Sequence, residues 1–219
     1  MAQRRVVLTG AAGYVAQRMF TELAARWDLV PIDVRETGPS GAKVPGIVVA
    51  DLTDRNRDTY RRHFRGVDAV IHCGYVRAPG TTWHNNSDAK FWAEHDNVAL
   101  AYNVCRTALE EGVRRVVVAS SNHAADYYER LVWAGKLDMV TPEMPARSDN
   151  WYGWAKAAYE LLGFVFATGQ VDGKKLEIVQ WRIGGPRDDD IDHVAPGDIK
   201  GMHRALGAYL SRRDQVQQA

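Results

Sequence analysis

The sequence predicts an α/β fold with a doubly wound parallel sheet, followed by a small C-terminal lobe. This prediction depends on two observations. Short apolar runs rich in β-branched residues alternate with segments of helical periodicity along most of the 219 residues, which is the pattern of a parallel sheet covered by helices on both faces. The first apolar run also leads through a glycine-containing loop into a helix, as such sheets usually begin.

Six segments have the composition of buried parallel strands, being short, apolar and bounded by turn residues. They are residues 5–9, 28–33, 47–51, 69–73, 115–119 and 176–181. Helical periodicity or, in one case, a run of charged residues predicts helices in four further segments. They are residues 14–27, 55–65, 91–111 and 151–167. A last helix is expected to begin at Arg212, with nothing after it to pack against.

Two connections interrupt the alternation. Residues 79–86 form a polar loop with Gly and Pro beyond the fourth strand, and residues 122–150 are longer than an ordinary connection. Both lie at the carboxyl ends of strands, where open α/β sheets bind ligands. We therefore expect the longer connection to be functional, partly helical, or both.

Composition argues against several kinds of protein. The formal net charge of +1 gives no electrostatic reason to bind nucleic acid or an anionic membrane. No segment approaches the ~18 consecutive apolar residues of a membrane span, and the N-terminus runs directly into a strand, which leaves no room for a signal peptide. Cys73 and Cys105 offer neither a disulfide framework nor a metal-binding spacing. We predict a cytoplasmic protein whose partner is a small molecule.

An acidic run near the C-terminus invites a metal assignment. Arg187 is followed by Asp188, Asp189 and Asp190. Consecutive side chains point in different directions, so we interpret this run as a solvated loop and predict no metal site.

The loop between the first strand and the first helix carries the first functional signal. Gly10 permits a tight turn, and Gly13 lets the backbone approach a pyrophosphate. Ala16 is small enough for the helix to pack closely on the strand. The pyrophosphate would then lie at the positive N-terminus of the helix. This arrangement predicts a dinucleotide-binding site.

The acid after the second strand indicates which dinucleotide binds. A carboxylate at Asp33 would accept hydrogen bonds from the adenosine ribose hydroxyls and repel a 2′-phosphate, which favours NAD over NADP. Arg35 keeps NADP open as the less favoured cofactor. The alternative interpretation of Asp33 is an ordinary loop acid.

Tyr152 and Lys156 are four residues apart on a predicted helix, so their side chains stand one above the other. An ammonium there can favour a phenolate, and each unit of pKa depression is worth about 1.4 kcal/mol. Taken alone, the spacing equally fits an ordinary surface pair.

The glycine loop, the Tyr-x-x-x-Lys pair and Ser120-Ser121 after the fifth strand together resemble the extended short-chain dehydrogenase/reductases. This is the NAD-dependent epimerase/dehydratase family, and the resemblance covers residues 5–186. It implies a Rossmann fold, a homodimer and three catalytic residues, Ser121, Tyr152 and Lys156. The positions that match the family's cofactor contacts are Gly10, Gly13, Tyr14, Val15, Asp33, Asp51, Leu52, Cys73, Gly74, Tyr75, Asn97, Tyr152, Lys156 and Ile183.

A closer likeness is to the uronate dehydrogenases, which oxidise the C1 hydroxyl of a cyclic hexuronic acid to a lactone with NAD. Residues 119–123 and 182–184 carry it. It implies that Ser121, Asn122 and His123 contact the substrate. Gly185 departs from this subgroup, because a serine is usual at that position.

Arginine side chains are candidates for binding an acidic group of the substrate, because the guanidinium fork matches carboxylates and phosphates. Arg77, Arg147 and Arg187 are the three candidates, although Arg77 lies where the subgroup has a substrate-facing serine. Of the three we favour Arg187.

The resemblance also implies a mechanism. Tyr152 would be the general base, with its pKa lowered by Lys156 and the cationic nicotinamide. Ser121 would hydrogen-bond the reacting oxygen, and Lys156 would hold the nicotinamide ribose. Asn97 would tether Lys156, directly or through water. Beyond Lys156 the helix is apolar nearly all round, which predicts contact with a second subunit.

The chain is thus expected to have two parts. Residues 1–186 form the NAD-binding domain with the catalytic residues, and residues 187–219 form part of a substrate-binding lobe. Residues 209–214 resemble a motif after which the family normally continues. Either the chain is a fragment, or the distal part of the lobe is absent.

The leading functional prediction is an NAD-dependent oxidoreductase that acts on a CH–OH group of a sugar or sugar acid and forms a lactone. One alternative is an NAD-dependent nucleotide-sugar epimerase or dehydratase, which needs a large nucleotide pocket. Another is a dinucleotide-sensing regulator without turnover, against which the intact Ser121, Tyr152 and Lys156 argue.

Overall fold

A computed structural model describes residues 3–82, 85–186 and 194–219. The strands described form one parallel sheet in the order β3-β2-β1-β4-β5-β6. They are β1 (Arg5–Thr9), β2 (Asp28–Asp33), β3 (Val48–Val49), β4 (Ala69–His72), β5 (Arg115–Ser121) and β6 (Glu177–Ile183). The strand order reverses between β1 and β4, which opens the crevice where doubly wound sheets bind ligands. The predicted fold class is confirmed.

Helices cover both faces of the sheet. They are α1 (Tyr14–Arg26), α2 (Asp88–Glu110), α3 (Glu129–Trp133), α4 (Trp151–Ala167), α5 (Ile199–Gly207) and α6 (Arg212–Gln218). Because side chains alternate along a strand, Val6 and Leu8 join the apolar cluster of α1 and α6. Val7 joins the cluster of α2 and α4 on the opposite face. No helix among the described residues is long and apolar enough to cross a membrane.

The prediction of a helix at residues 55–65 is wrong. This stretch forms two short 3-10 helices, Arg57–Thr59 and Arg61–Phe64. The side chain of Asp54 accepts the backbone N–H of Asn56 at 2.8 Å, and Asn56 accepts that of Asp58 at 3.3 Å. Such local side-chain bonds offer the backbone an alternative to the α-helix.

The last predicted helix is present as α6 and packs on a helix that precedes it in the chain. Helix α6 lies on α1, where the fully buried Gln215 donates to the carbonyl of Val15 at 2.9 Å and accepts from Arg18 Nε at 2.9 Å. Helix α5, which the sequence analysis did not predict, is held to α3 by an ion pair between Arg204 and Glu129. The two C-terminal helices therefore lie on different parts of the domain.

Candidate active site

The glycine loop lies at the point where the strand order reverses. Gly10 has a φ of 65°, and a Cβ atom there would lie 2.5 Å from the backbone carbonyl of Cys73. A Cβ atom on Gly13 would lie 2.9 Å from the carbonyl oxygen of Gly10. Glycine is required at both positions because two backbone segments meet here, and the loop opens the N-terminus of α1 to an anion.

Asp33, at the end of β2, is fixed beside this loop. Its carboxylate accepts the backbone N–H of Ala12 at 3.0 Å and that of Arg35 at 3.0 Å. The Arg35 guanidinium donates to the carbonyl of Ala12 at 3.3 Å. Both residues that bear on NAD or NADP preference therefore contact the glycine loop.

The positions predicted to contact the adenosine end follow β3 and β4. Asp51 accepts two hydrogen bonds from Thr53, at 2.7 and 2.9 Å. Leu52 is buried, and its carbonyl accepts from Asn103 at 2.9 Å. Cys73 and Gly74 adjoin Gly10, so these two positions border the same crevice as the loop.

Two predicted cofactor residues begin α1. Tyr14 is exposed, and its hydroxyl donates to the carbonyl of Pro186 at 3.1 Å. Val15 is half-buried against the cluster of α1 and α6. Ile183, the last residue of β6, is buried and lies in register beside Ser121 of β5.

The structure brings Ser121, Tyr152 and Lys156 together. Ser121 ends β5 and Tyr152 lies at the start of α4, where the Ser121 side chain lowers the pKa of the phenol. One turn further along α4, Lys156 Nζ lies 5.6 Å from the centre of the Tyr152 ring and donates to the carbonyl of Ala119 at 2.9 Å. A hydroxyl, a phenol and an ammonium from two elements thus meet at the carboxyl edge of the sheet.

The expectation that Lys156 lowers the pKa of Tyr152 is wrong for the protein itself. Burial raises the pKa of Tyr152; the Ser121 hydrogen bond lowers it, and the charges of Glu94 and Asp126 raise it further. Burial also lowers the pKa of Lys156 to about 8. Desolvation by the surrounding elements is therefore the largest cause of both pKa shifts.

Asn97 does not tether Lys156 directly in the described part of the chain. Its side chain accepts the backbone N–H of Val76 at 2.6 Å and donates to the Val76 carbonyl at 2.8 Å. Asn97 therefore fixes the loop after β4, because it faces that loop from α2.

A buried ion pair between Lys90 and Glu94 lies beside Tyr152 and was not predicted from the sequence. Lys90 and Glu94 are 2% and 0% exposed at their side chains, and their charged atoms are 2.6 Å apart. Tyr75 donates to Glu94 at 2.5 Å and accepts from Lys90 at 2.7 Å. Lys90 Nζ lies 5.5 Å from the centre of the Tyr152 ring. The available signal was the spacing of Lys90, Glu94 and Asn97, which places all three on one helix face.

The residues predicted to contact substrate follow Ser121 directly. Asn122 accepts from the Ser121 hydroxyl at 3.3 Å. The His123 ring lies edge-on to Tyr152, with ring centres 5.5 Å apart. His123 Nδ1 also lies 2.8 Å from the carboxylate of Asp126, a residue that the sequence analysis missed. Arg187 lies outside the described residues.

A cavity of about 700 Å³ lies beside Asp126. Its lining residues are Asn86, Asp126, Glu129, Arg130, Trp133, Ala134, Asp149, Asn150, Lys200 and Arg204. Arg130 is ion-paired with Asp149 at 2.6 Å, and Arg204 with Glu129. Arg147 lines a second cavity of about 350 Å³ with Tyr127 and Trp154. Residues 122–150 are thus partly helical and border both cavities.

The sheet order and the glycine loop define an α/β protein of the dinucleotide-binding kind. Residues 6–211 match the sequence model of the NAD dependent epimerase/dehydratase family, and the chain belongs to this family. The predicted family and cofactor are confirmed. The residues present fit a dinucleotide, because the glycine loop at the N-terminus of α1 has no Cβ atom at Gly10 or Gly13 and a fixed carboxylate ends β2.

Several known proteins are similar to this chain. L-arabinose 1-dehydrogenase (NAD(P)(+)) of Haloferax volcanii is 30% identical over 230 residues, which cover 94% of this chain and 84% of that protein. Uronate dehydrogenase of Pseudomonas syringae pv. tomato is 29% identical over 182 residues, which cover 82% and 58%. A solved structure of a mutated uronate dehydrogenase aligns with a TM-score of 0.69 at 25% identity, covering 97% of this chain and 66% of that one. The chain therefore spans between 58% and 84% of the length of these relatives.

Proposed function

We propose that this protein is an NAD-dependent oxidoreductase that oxidises the C1 hydroxyl of a cyclic sugar or sugar acid to a lactone. The observation that carries the proposal is the meeting of Ser121, at the end of β5, with Tyr152 at the start of α4, where Lys156 Nζ lies 5.6 Å from the centre of the Tyr152 ring. The similarity to an arabinose dehydrogenase and to uronate dehydrogenases supports the choice of a sugar C1 hydroxyl.

Each side chain has a defined role in this proposal. Tyr152, as phenolate, takes the hydroxyl proton of the substrate while Ser121 hydrogen-bonds the same oxygen. The C1–H bond breaks as the C=O bond forms, and bound NAD supplies the hydride acceptor. Lys156 holds a positive charge near the phenol and hydrogen-bonds the ribose of the nucleotide. The predicted cofactor positions that border the crevice bind the rest of the dinucleotide.

The two parts of the chain have different roles in this proposal. Residues 1–186 bind NAD and carry out hydride transfer. Of residues 187–219, helix α5 contributes Lys200 and Arg204 to the cavity of about 700 Å³ beside His123. We assign this cavity to the sugar.

An assay of NADH formation tests the proposal. The protein is incubated with NAD and, separately, with neutral aldoses, hexuronic acids and aldose phosphates. We expect one of these classes to give free NADH in large molar excess over protein. Conversion of a nucleotide sugar without net NADH would instead identify an epimerase or dehydratase, and no reaction with any substrate would favour a regulator without turnover.

If Arg187 binds the acidic group of the substrate, its replacement should affect acidic and neutral substrates differently. Replacing Arg187 with Ala should raise KM for a hexuronic acid by about tenfold or more, because a charge-assisted hydrogen bond is lost. KM for a neutral aldose, measured on the same protein, should stay unchanged. An equal change for both substrates would remove Arg187 from carboxylate binding.

We propose that the protein is a homodimer in the cytoplasm. Leu161, Phe164 and Val165 of α4 are 72%, 69% and 48% exposed, and such a row of large apolar side chains suits an interface between subunits. The helices α2 and α4 lie side by side on this face of the sheet. Two thiols without a disulfide fit a reducing compartment.

Replacing Phe164 with Glu should convert the dimer to a monomer, because a charge would be buried without a partner at the interface. Light scattering at micromolar concentration measures the mass of the wild type and the variant. Replacing Leu206, which is 57% exposed on α5, with Glu is the matched control and should leave the dimer intact. A monomeric wild type would contradict this assignment of the α4 surface.

A further inference from the structure

We propose that Asp126 is a positioning residue of the reaction centre, which holds the imidazole of His123 against Tyr152 with its proton on Nδ1. The kinetic part of this proposal rests on the proposed dehydrogenase function, whereas the structural part does not. Neither the family resemblance nor the sequence analysis assigned a role to Asp126.

Both oxygens of the Asp126 carboxylate approach the same ring nitrogen. They lie 2.9 and 2.8 Å from Nδ1 of His123. A carboxylate accepts hydrogen bonds but does not donate them, so Nδ1 carries the proton. In a neutral ring Nε2 is then an acceptor.

Asp126 is also connected to the helix that carries Tyr152. The side-chain amide of Asn150 donates to Asp126 at 2.8 Å, and its oxygen accepts the backbone N–H of Gly153 at 2.9 Å. Asn150 is thereby the N-cap of α4. One carboxylate thus fixes both the ring that faces Tyr152 and the cap of the helix on which Tyr152 lies.

The backbone of His123 also contacts Ser121 and the start of α4. The backbone N–H of His123 donates to the Ser121 hydroxyl at 3.2 Å, and the Ser121 side chain lowers the pKa of Tyr152. A Cβ atom on Gly153 would overlap the carbonyl of His123. The backbone of the 3-10 helix Asn122–Tyr128 and that of α4 are therefore in close contact, which leaves His123 little freedom to move.

The charge of Asp126 does not help Tyr152 to form a phenolate, so we assign Asp126 a role in positioning His123. Its negative charge raises the pKa of Tyr152, which disfavours the phenolate. A neutral side chain would suit the tyrosine better. The geometry around His123 and Asn150 gives the carboxylate its function.

The proton on His123 can be measured directly. Nitrogen-15 NMR of the imidazoles distinguishes the two tautomers, and the His123→Gln variant assigns the signal among the 7 histidines. We expect a protonated Nδ1 in wild type at neutral pH. Asp126→Asn, whose amide oxygen still accepts from Nδ1, should retain this pattern, and Asp126→Ala should lose it. An unprotonated Nδ1 in wild type, or an unchanged pattern in Asp126→Ala, would overturn the proposal.

Kinetics provides the second measurement. Asp126→Ala should lower kcat on the order of 10²-fold, the typical effect of misplacing an active-site group, and leave KM for NAD unchanged. Asp126→Asn should recover most of kcat. Asp138→Ala is the matched control, because it removes an exposed carboxylate from the same connection at a position that lines neither cavity; it should keep wild-type kcat. Equal losses in the three variants would overturn the positioning role. Absence of wild-type turnover would contradict the proposed function, while the NMR result would still decide the proposal on Asp126.

Discussion

Replacing Tyr152 with Phe is expected to lower kcat on the order of 10³-fold, because the substrate hydroxyl loses its general base. The ring remains, so its edge contacts with Tyr75 and His123 persist. Affinity for NAD should therefore stay within a few-fold of wild type. Stopped-flow measurement of NADH formation gives kcat, and isothermal titration gives the affinity for NAD.

Tyr159 provides the matched control on the same helix. It is buried, whereas Tyr152 is half-buried, and its hydroxyl has no hydrogen-bond partner among the described residues. Tyr159→Phe should therefore keep kcat and fold at least as stably as wild type. Equal kcat in wild type and Tyr152→Phe would remove Tyr152 from catalysis.

Replacing Lys156 with Met is expected to abolish turnover without lowering stability. Burial lowers the pKa of Lys156 from 10.5 to about 8, which corresponds to roughly 3 kcal/mol against the charged form at neutral pH. Loss of the hydrogen bond to Ala119 offsets about 1 kcal/mol of this. The free energy of unfolding of Lys156→Met at pH 7 should therefore exceed that of wild type by about 2 kcal/mol.

The sign of the pH dependence follows from the same pKa shift. Between pH 8 and pH 10.5 the unfolded chain keeps the proton of Lys156 and the folded chain loses it. Wild-type stability should therefore gain a contribution as pH rises through this window, which Lys156→Met lacks. Urea unfolding at pH 7 and at about pH 9.5 measures the difference. Lys174→Met, at an exposed lysine, should behave as wild type, and a less stable Lys156→Met would contradict this account of Lys156.

The parts of the site that depend on short sequence patterns could be predicted from the sequence. Gly10 and Gly13 are recognisable because a tight turn between a strand and a helix admits few other residues, and β1 appears as a plain apolar run. Tyr152 and Lys156 are recognisable because helical spacing places them on one face. These signals extend over only a few residues each.

The parts that were missed depend on contacts between distant segments. Asp126 gains its role from His123 and from Asn150, which lies 24 residues away. Glu94 is buried only because Tyr75 and Lys90 surround it. The direction of the Tyr152 pKa shift also depends on burial by several elements, and the Tyr-x-x-x-Lys spacing alone suggests the opposite direction.

Transfer of deuterium from C1 of the sugar to the nucleotide tests the central claim most directly. The protein is incubated with NAD and a pool of aldoses and hexuronic acids deuterated at C1, and the products are examined by mass spectrometry. The account predicts NADH that carries one deuterium and a lactone or its open acid that has lost it. Sugars that change configuration or lose water while C1 keeps its deuterium, with the nucleotide unlabelled, would contradict the account.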